Sequence, residues 1–368
     1  MRVTRVTTEV YAKPHEPPIT NGKYTYRDSK NVVVRVETDE GIEGVGICGG
    51  LALPPGHDAV VSVIGDMSEA VVGEDPFNVE RIWDRMYQPK IFGRKGLTTR
   101  ALSAIDIALW DVIARAIGRP LYQILGGYTD EVRAYIAGGY YSPGKGIREL
   151  QDEMLSYVDQ GANAVKMKIG AVSLREDERR VAAVRDAIGD DIDLLVDANN
   201  AYVVADAVRM ARILEEYRVF WFEEPVSPDN MRGSASTARA SSVPVAAGEN
   251  EYTRWGFREL FERDAVQIAN PDAMVLGGVT EYKRVAALAS AYEIPIAPHG
   301  LQEIHIHLLA AFPGPLILEF YNPNVAGLND VMFHERLELT SSGTVKLPQG
   351  PGLGVEFNWE ALQQYRVE

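Results

Sequence analysis

Residues 219–225 read VFWFEEP: four apolar residues run into two adjacent carboxylates and a proline. A run of β-formers closed by proline predicts a buried strand that stops at Pro225. A core strand that finishes on Glu223 and Glu224 needs water or positive charge at its tip, because an unpaired buried carboxylate is costly.

Short apolar runs of the same kind recur on both sides. VRAYIAG from 132, AVKMKIG from 164, IDLLVDANN from 192, VPVAAGEN from 243, AVQIANPDA from 265, IPIAPHG from 294 and PLILEF from 315 bring the set to eight. Amphipathic segments such as LREDERRVAAVRDAIG and EYKRVAALASAYE separate them, which predicts parallel strands joined by helical crossovers. Eight parallel strands close into a barrel. The structural rival, a doubly wound open sheet, lacks a GxGxxG after its first strand.

Upstream, VVVRVET and IEGVGIC flank a turn at Gly41 and read as a β-hairpin. TTRALSAIDIALWDVIARAIG then carries apolar residues at helical spacing and closes on Gly118, with Pro120 behind it. The predicted division is an α+β unit over 1–125, a barrel over 126–322, and a polar, Pro/Gly-rich segment over 323–368 that returns to the first unit. No eighth helix is evident after the last strand.

Composition bounds the function. The 368 residues are 46% hydrophobic and 24% charged, as in globular proteins, and the net charge of -15 argues against nucleic acid as a partner. MRVTRVTTEV lacks the apolar core of a signal peptide, and no run approaches the roughly 18 apolar residues of a membrane span. Cys48 is the only cysteine, so no intrachain disulfide forms and a reducing cytoplasm is expected.

Nearly every strand candidate ends on chemistry. Lys166 and Lys168 close the second, Asp197 and Asn199 the third, Glu223 the fourth and Glu249 the fifth; Asp272, His299 and Glu319 belong to the last three. The intervals Asp197 to Glu223 and Glu223 to Glu249 are 26 residues each, about one strand–helix unit. In a barrel the C-terminal strand ends converge on one mouth, so Glu223 ends its strand at a shared site.

A lone carboxylate there is more often a solvated strand end or half of an ion pair. Three in register repel one another unless a cation intervenes, and an all-oxygen ligand set suits Mg²⁺. Glu224, on the opposite strand face, is expected in an ion pair outside the site. Lys166 and Lys168 share a face in a segment too apolar for a solvated edge, and crowding beside a divalent ion should lower a lysine toward a usable base. Asp272 and His299, on neighbouring strand ends, suit a carboxylate–imidazole pair. His305 and His307 are expected to be structural, since i, i+2 spacing does not place both on one helix face. Glu319, in an apolar strand near other anions, is expected to stay protonated and donate a hydrogen bond. A lysine and a histidine around a divalent ion suit removal of a proton beside a carboxylate, through an ene-diolate. Neither a GxSxG nucleophile nor histidine-rich zinc ligation accompanies these acids.

The succession KMK, DANN, FEEP, GEN, NPDA, PHG and LEF over residues 166–320 resembles the mandelate racemase subgroup of the enolase superfamily, which uses a Lys or His base with Mg²⁺. RKGLTTRALSAIDIALWD resembles the family's capping-domain helix and GPGLG its C-terminal return, so the resemblance spans nearly the whole chain. It implies a modified (β/α)7β TIM-type barrel under an α+β capping domain, and a homo-oligomer. It further implies Mg²⁺ on Asp197, Glu223 and Glu249, and acid/base roles for Lys168 and for His299 with Asp272. Lys166 would stabilise the substrate carboxylate, Glu319 would donate to the ene-diolate, and Asn199 would lie near the α-substituent.

The second half-reaction stays open. Dehydration of a sugar acid, an aldonate or aldarate, to a 2-keto-3-deoxy acid is the favoured expectation. Racemisation or epimerisation by the same Lys/His pair is the alternative, and a metal-binding barrel without turnover the remote one. Specificity in the family comes partly from a mobile capping loop, expected within residues 14–30, whose Lys23 and Tyr24 offer polar contacts to a polyhydroxy acid. Polar loop residues are common without any such role.

Overall fold

The computed structural model describes residues 1–49 and 56–367. The chain opens on an antiparallel sheet of β1 (Val3–Thr20), β2 (Thr25–Thr38) and β3 (Glu43–Cys48). Helices α1 (Gly56–Ser68), α2 (Val79–Met86), α3 (Leu97–Ile117) and α4 (Leu121–Leu125) follow. Gly118 ends α3 in the left-handed region at φ 73°, its amide reaching back to Ala114 and Arg115.

The segment expected as a mobile loop is instead the far half of the β1–β2 hairpin, turning at residues 21–24. The resemblance implied a loop, but the prolines of this segment sit within β1 where the register slips between Pro14 and Ile19, a place where an edge tolerates missing donors. The hairpin leans on the barrel: Thr20 bridges Tyr141, and a Cβ on Gly22 would lie 2.2 Å from the Ala198 carbonyl oxygen.

β3 lies directly on the α3 backbone. A Cβ added at Gly46 would come 1.9 Å from the Ala104 carbonyl oxygen, and one at Gly44 2.2 Å from that of Ala108. Backbone cannot give way as a flexible side chain can. Gly46→Ala is therefore expected to cost about 3 kcal/mol, read as a lower urea midpoint.

The barrel begins at β4 (Glu131–Ala137) and continues through α5 (Ile147–Asp159), β5 (Ala164–Lys168), α6 (Leu174–Ile188), β6 (Asp193–Asp197) and α7 (Val204–Glu216). β7 (Val219–Glu223), α8 (Met231–Ala238), β8 (Val245–Ala247), α9 (Thr253–Glu262) and β9 (Ile268–Ala269) follow. Then come α10 (Ala273–Leu276), α11 (Gly278–Ala291), α12 (Gln302–Ala310) and β10 (Leu318–Tyr321). Parallel pairing runs in the order β10-β4-β5-β6-β7-β8-β9. The seventh expected strand makes only single bridges, Ile296 to Ala269 and to Pro315, because Pro295 and Pro298 lack donors. Those bridges still close the ring, and among the described residues β10 is followed by the single-turn α13 (Pro323–Ala326) where a crossover helix would stand.

Alternation along the strands sorts the interior. Tyr135, Ala164, Leu195, Trp221, Ala246, Ile268, Ala297 and Ile317 fill the barrel, while Ile136, Val165, Val196 and Phe222 face the surrounding helices. Two residues beyond Leu195, Trp221 and Ile317, on the same inward face, come Asp197, Glu223 and Glu319. The charges therefore sit on an apolar plug.

The tail first adds β11 (Thr344–Lys346) antiparallel to the start of β4, then bridges Pro120 through Gly352 and, after α14 (Trp359–Gln363), Tyr11 through Arg366. His307 of α12 anchors this return by donating from Nε2 to the Leu353 carbonyl at 2.9 Å. Burial pushes His307 down to about 4, so its neutral ring belongs to the folded state. Its stabilisation is complete above the ordinary value near 6.5 and is lost as pH falls through about 4. Urea midpoints should fall over that window by the equivalent of about 3 kcal/mol, and His307→Gln should flatten this part of the profile. Among the described residues, no helix is long and apolar enough to cross a membrane.

Candidate active site

The mouth of the barrel gathers the charged residues that the strand-end pattern singles out. Lys166, fully buried on β5, places Nζ 3.0 Å from both oxygens of Glu223, 2.8 Å from Glu319 and 3.1 Å from the Tyr135 hydroxyl. Lys168 Nζ lies 2.5 Å from Asp197 at the end of the adjacent β6. Trp221, two residues before Glu223 on the same face, donates its indole N–H to Glu223 at 3.0 Å. The carboxylates at the strand tips thus find positive charge.

Glu249 reaches the cluster by a different route. Simple alternation from inward-facing Ala246 would turn it away, but Gly248 at φ 138° redirects the chain. A Cβ there would meet Phe257 at 2.8 Å, so glycine is required on both counts. Asp197, Glu223 and Glu249 each offer an oxygen, and these oxygens lie within 4.8 Å of one another. Glu249 Oε2 is buried without a hydrogen-bond partner, and its nearest cation is the His299 ring at 3.6 Å. Three hard oxygen donors, one of them orphaned, fit a divalent cation.

His299 Nδ1 is 2.9 Å from Asp272 Oδ2. Burial opposes a charged ring, but Glu249, Glu319 and Asp272 outweigh it and push His299 up to about 10. Burial likewise disfavours the Asp272 anion, and the hydrogen bond from His299, the largest opposing influence, draws it below its ordinary value. The surrounding anions favour an imidazolium beside a carboxylate.

Two expectations need correcting, and the lysines need a qualification of state. Glu319 is not a neutral donor: burial would raise it, but Lys166, then His299, draw it below its ordinary value, and it accepts from the Gly300 amide at 3.1 Å. Burial lowers both lysines while Glu223 and Glu319 raise Lys166 and Asp197 raises Lys168; a divalent ion held by Asp197 and Glu223 would take up those anions, so the lowered lysine belongs to the metal-loaded site. Among the described residues, Glu224 has no ion-pair partner. It is buried in the left-handed region at φ 42°, accepts from the Asn200 and Asn250 amides at 2.7 and 2.8 Å, and is raised by burial and by the charges of Glu249 and Asp197.

The remaining candidates divide. Asn199 is buried at φ 43° beside Asp197, with its side-chain oxygen lacking a partner. Lys23 and Tyr24 sit exposed at the hairpin tip, Lys23 Nζ 5.7 Å above the Tyr24 ring, with both amides bonded to Asn21 Oδ1. The hairpin's inward contribution is Tyr26, whose hydroxyl accepts from Asn21 at 3.0 Å and feels Lys168, Glu249 and Asp197. Tyr140 of the loop after β4 lies under Lys168 Nζ at 5.0 Å. The sequence reading has no place for Tyr135 and Trp221, and takes His305 as structural. Period-2 alternation could have found Trp221 from Glu223; the others depend on contacts distant in the chain.

Comparison with known proteins matches this architecture. Residues 3–126 fit the mandelate racemase / muconate lactonizing enzyme N-terminal domain, and residues 149–361 the enolase C-terminal domain-like family. The chain is similar to the arabinonate dehydratase of Saccharolobus solfataricus, at 36% identity over 92% of this chain and 91% of that protein. It is also similar to the D-galactarolactone cycloisomerase of Agrobacterium fabrum, at 33% identity over 100% and 99%. Among solved structures, a racemase from Streptomyces coelicolor with bound magnesium superposes with a TM-score of 0.92, at 32% identity over 99% of this chain and 100% of that one. With both domains matched and the barrel-mouth geometry in place, the chain belongs to the mandelate racemase and muconate lactonizing enzyme family of the enolase superfamily, and it is an enzyme of lyase or racemase type.

Proposed function

We propose that this enzyme is a Mg²⁺-dependent dehydratase of a sugar acid, an aldonate or aldarate, yielding a 2-keto-3-deoxy acid. The observation that carries the reading is the placement of Lys168 and the Asp272–His299 pair on strand ends flanking the carboxylate-bearing ends of β6, β7 and β8. Asp197, Glu223 and Glu249 would hold Mg²⁺, which supplies positive charge to the substrate carboxylate and the ene-diolate made from it. Lys168 would remove the proton on the carbon next to the carboxylate. Lys166, held by Glu319 and Tyr135, would face the charge that develops there. His299, protonated against Asp272, would give its proton to the departing β-hydroxyl, so that water leaves. Asn199, with its unpartnered oxygen, would contact a substrate hydroxyl.

The arabinonate dehydratase relative supports the dehydration reading, and the magnesium in the racemase structure supports the choice of ion. The experiment is a panel of aldonates, aldarates and sugar lactones with enzyme and Mg²⁺, followed by NMR for a keto acid. Appearance of that product establishes dehydration. Inversion at the α-carbon without loss of water would give the role to racemisation, and consumption of a sugar lactone without a keto acid would favour a cycloisomerase.

A further inference from the structure

Asp272 has a second imidazole against it. His305, fully buried on α12, places Nε2 3.2 Å from Asp272 Oδ1, the oxygen that does not face His299. The same nitrogen lies 2.9 Å from the amide of Ala273, and Nδ1 lies 2.8 Å from the carbonyl oxygen of Leu301. A carbonyl oxygen only accepts, so Nδ1 carries the hydrogen, and the neutral ring offers its Nε2 lone pair to the Ala273 N–H.

Ala273 follows Asp272 directly, and Leu301 stands two residues beyond His299. One ring therefore joins the backbone just after each member of the pair. Gly300, at φ 105°, lets the two segments close up: a Cβ there would lie 2.8 Å from Asp272 Oδ2 and 3.0 Å from His305 Cε1. The Met274 amide holds Oδ1 from the other side at 2.8 Å. Asp272 keeps a single free direction, toward His299.

We propose that His305 is a positioning residue that sets the separation and orientation of the Asp272–His299 pair by tying together the two backbone segments that carry them. His307, two residues on, bonds the C-terminal return instead and makes no such connection. The kinetic consequence rests on the proposed role of His299; the geometric one does not.

The test compares His305→Leu, His305→Gln and His307→Gln with wild type, each loaded with Mg²⁺. Without substrate, proton NMR reads the downfield imidazole Nδ1–H of His299 bonded to Asp272, assigned by its loss in His299→Asn. His305→Leu should lose this signal, His305→Gln, with one donor and one acceptor, should keep part of it, and His307→Gln should leave it intact. Where a sugar acid is turned over, kcat of His305→Leu should fall about 10²-fold with little change in KM, as for a misplaced acid. An intact signal in the leucine variant would overturn the proposal, whatever the substrate proves to be. If the leucine variant fails to fold, an undiminished signal in the glutamine variant would overturn it equally.

Discussion

Lys168→Arg is expected to reduce kcat by roughly 10³-fold while leaving the folded state intact. Arginine keeps the positive charge that Asp197 accepts at 2.5 Å, so no buried carboxylate is left bare. It cannot release a proton near neutral pH, so it cannot act as the base. Lys168→Ala would remove both properties and mix a catalytic loss with the cost of an orphaned Asp197. The arginine variant separates them, with kcat on the identified acid and the thermal midpoint as the two readouts. Retention of near-normal kcat would remove Lys168 from the base role.

The second large effect concerns the cation. At a hundred times its Kd, Mg²⁺ is expected to stabilise the wild type by about 2.7 kcal/mol, seen as a rise in thermal midpoint. Glu249→Gln should lose most of that rise. The choice of residue follows from the contacts. Glu223 is balanced by Lys166 and Asp197 by Lys168, whereas Glu249 faces only the His299 ring, at 3.6 Å. Neutralising Glu249 therefore breaks no lysine pair and relieves crowding among three acids, so the Mg²⁺-free variant should be at least as stable as wild type. An undiminished Mg²⁺ response would exclude Glu249 from the ligand set.

The legible and illegible parts of this molecule separate on physical grounds. Strand periodicity carries direction, so Lys166 with Lys168 and the acids one unit apart could be placed on one mouth from spacing alone. The same rule reaches its limit at Glu249, where Gly248 overrides alternation, and at residues 294–299, where prolines reduce a strand to single bridges. The charge state of Glu319 was misread because its neighbours along the chain are apolar, while Lys166, 2.8 Å away, is distant in sequence. Helix spacing marks His305 as structural and says nothing of the Leu301 and Ala273 backbones it joins. The long β1–β2 hairpin lies where the resemblance implied a loop, and its prolines mark only a register slip.

The central claim is that a proton leaves the carbon beside the substrate carboxylate. The measurement that tests it is turnover of the identified sugar acid in D₂O with Mg²⁺, with the position of deuterium in the keto acid read by NMR. Loss of the C2 hydrogen to solvent, and a single solvent deuterium at C3 of the product, is the predicted result, abolished in Lys168→Arg. A keto acid that retains the substrate's C2 hydrogen would contradict the account.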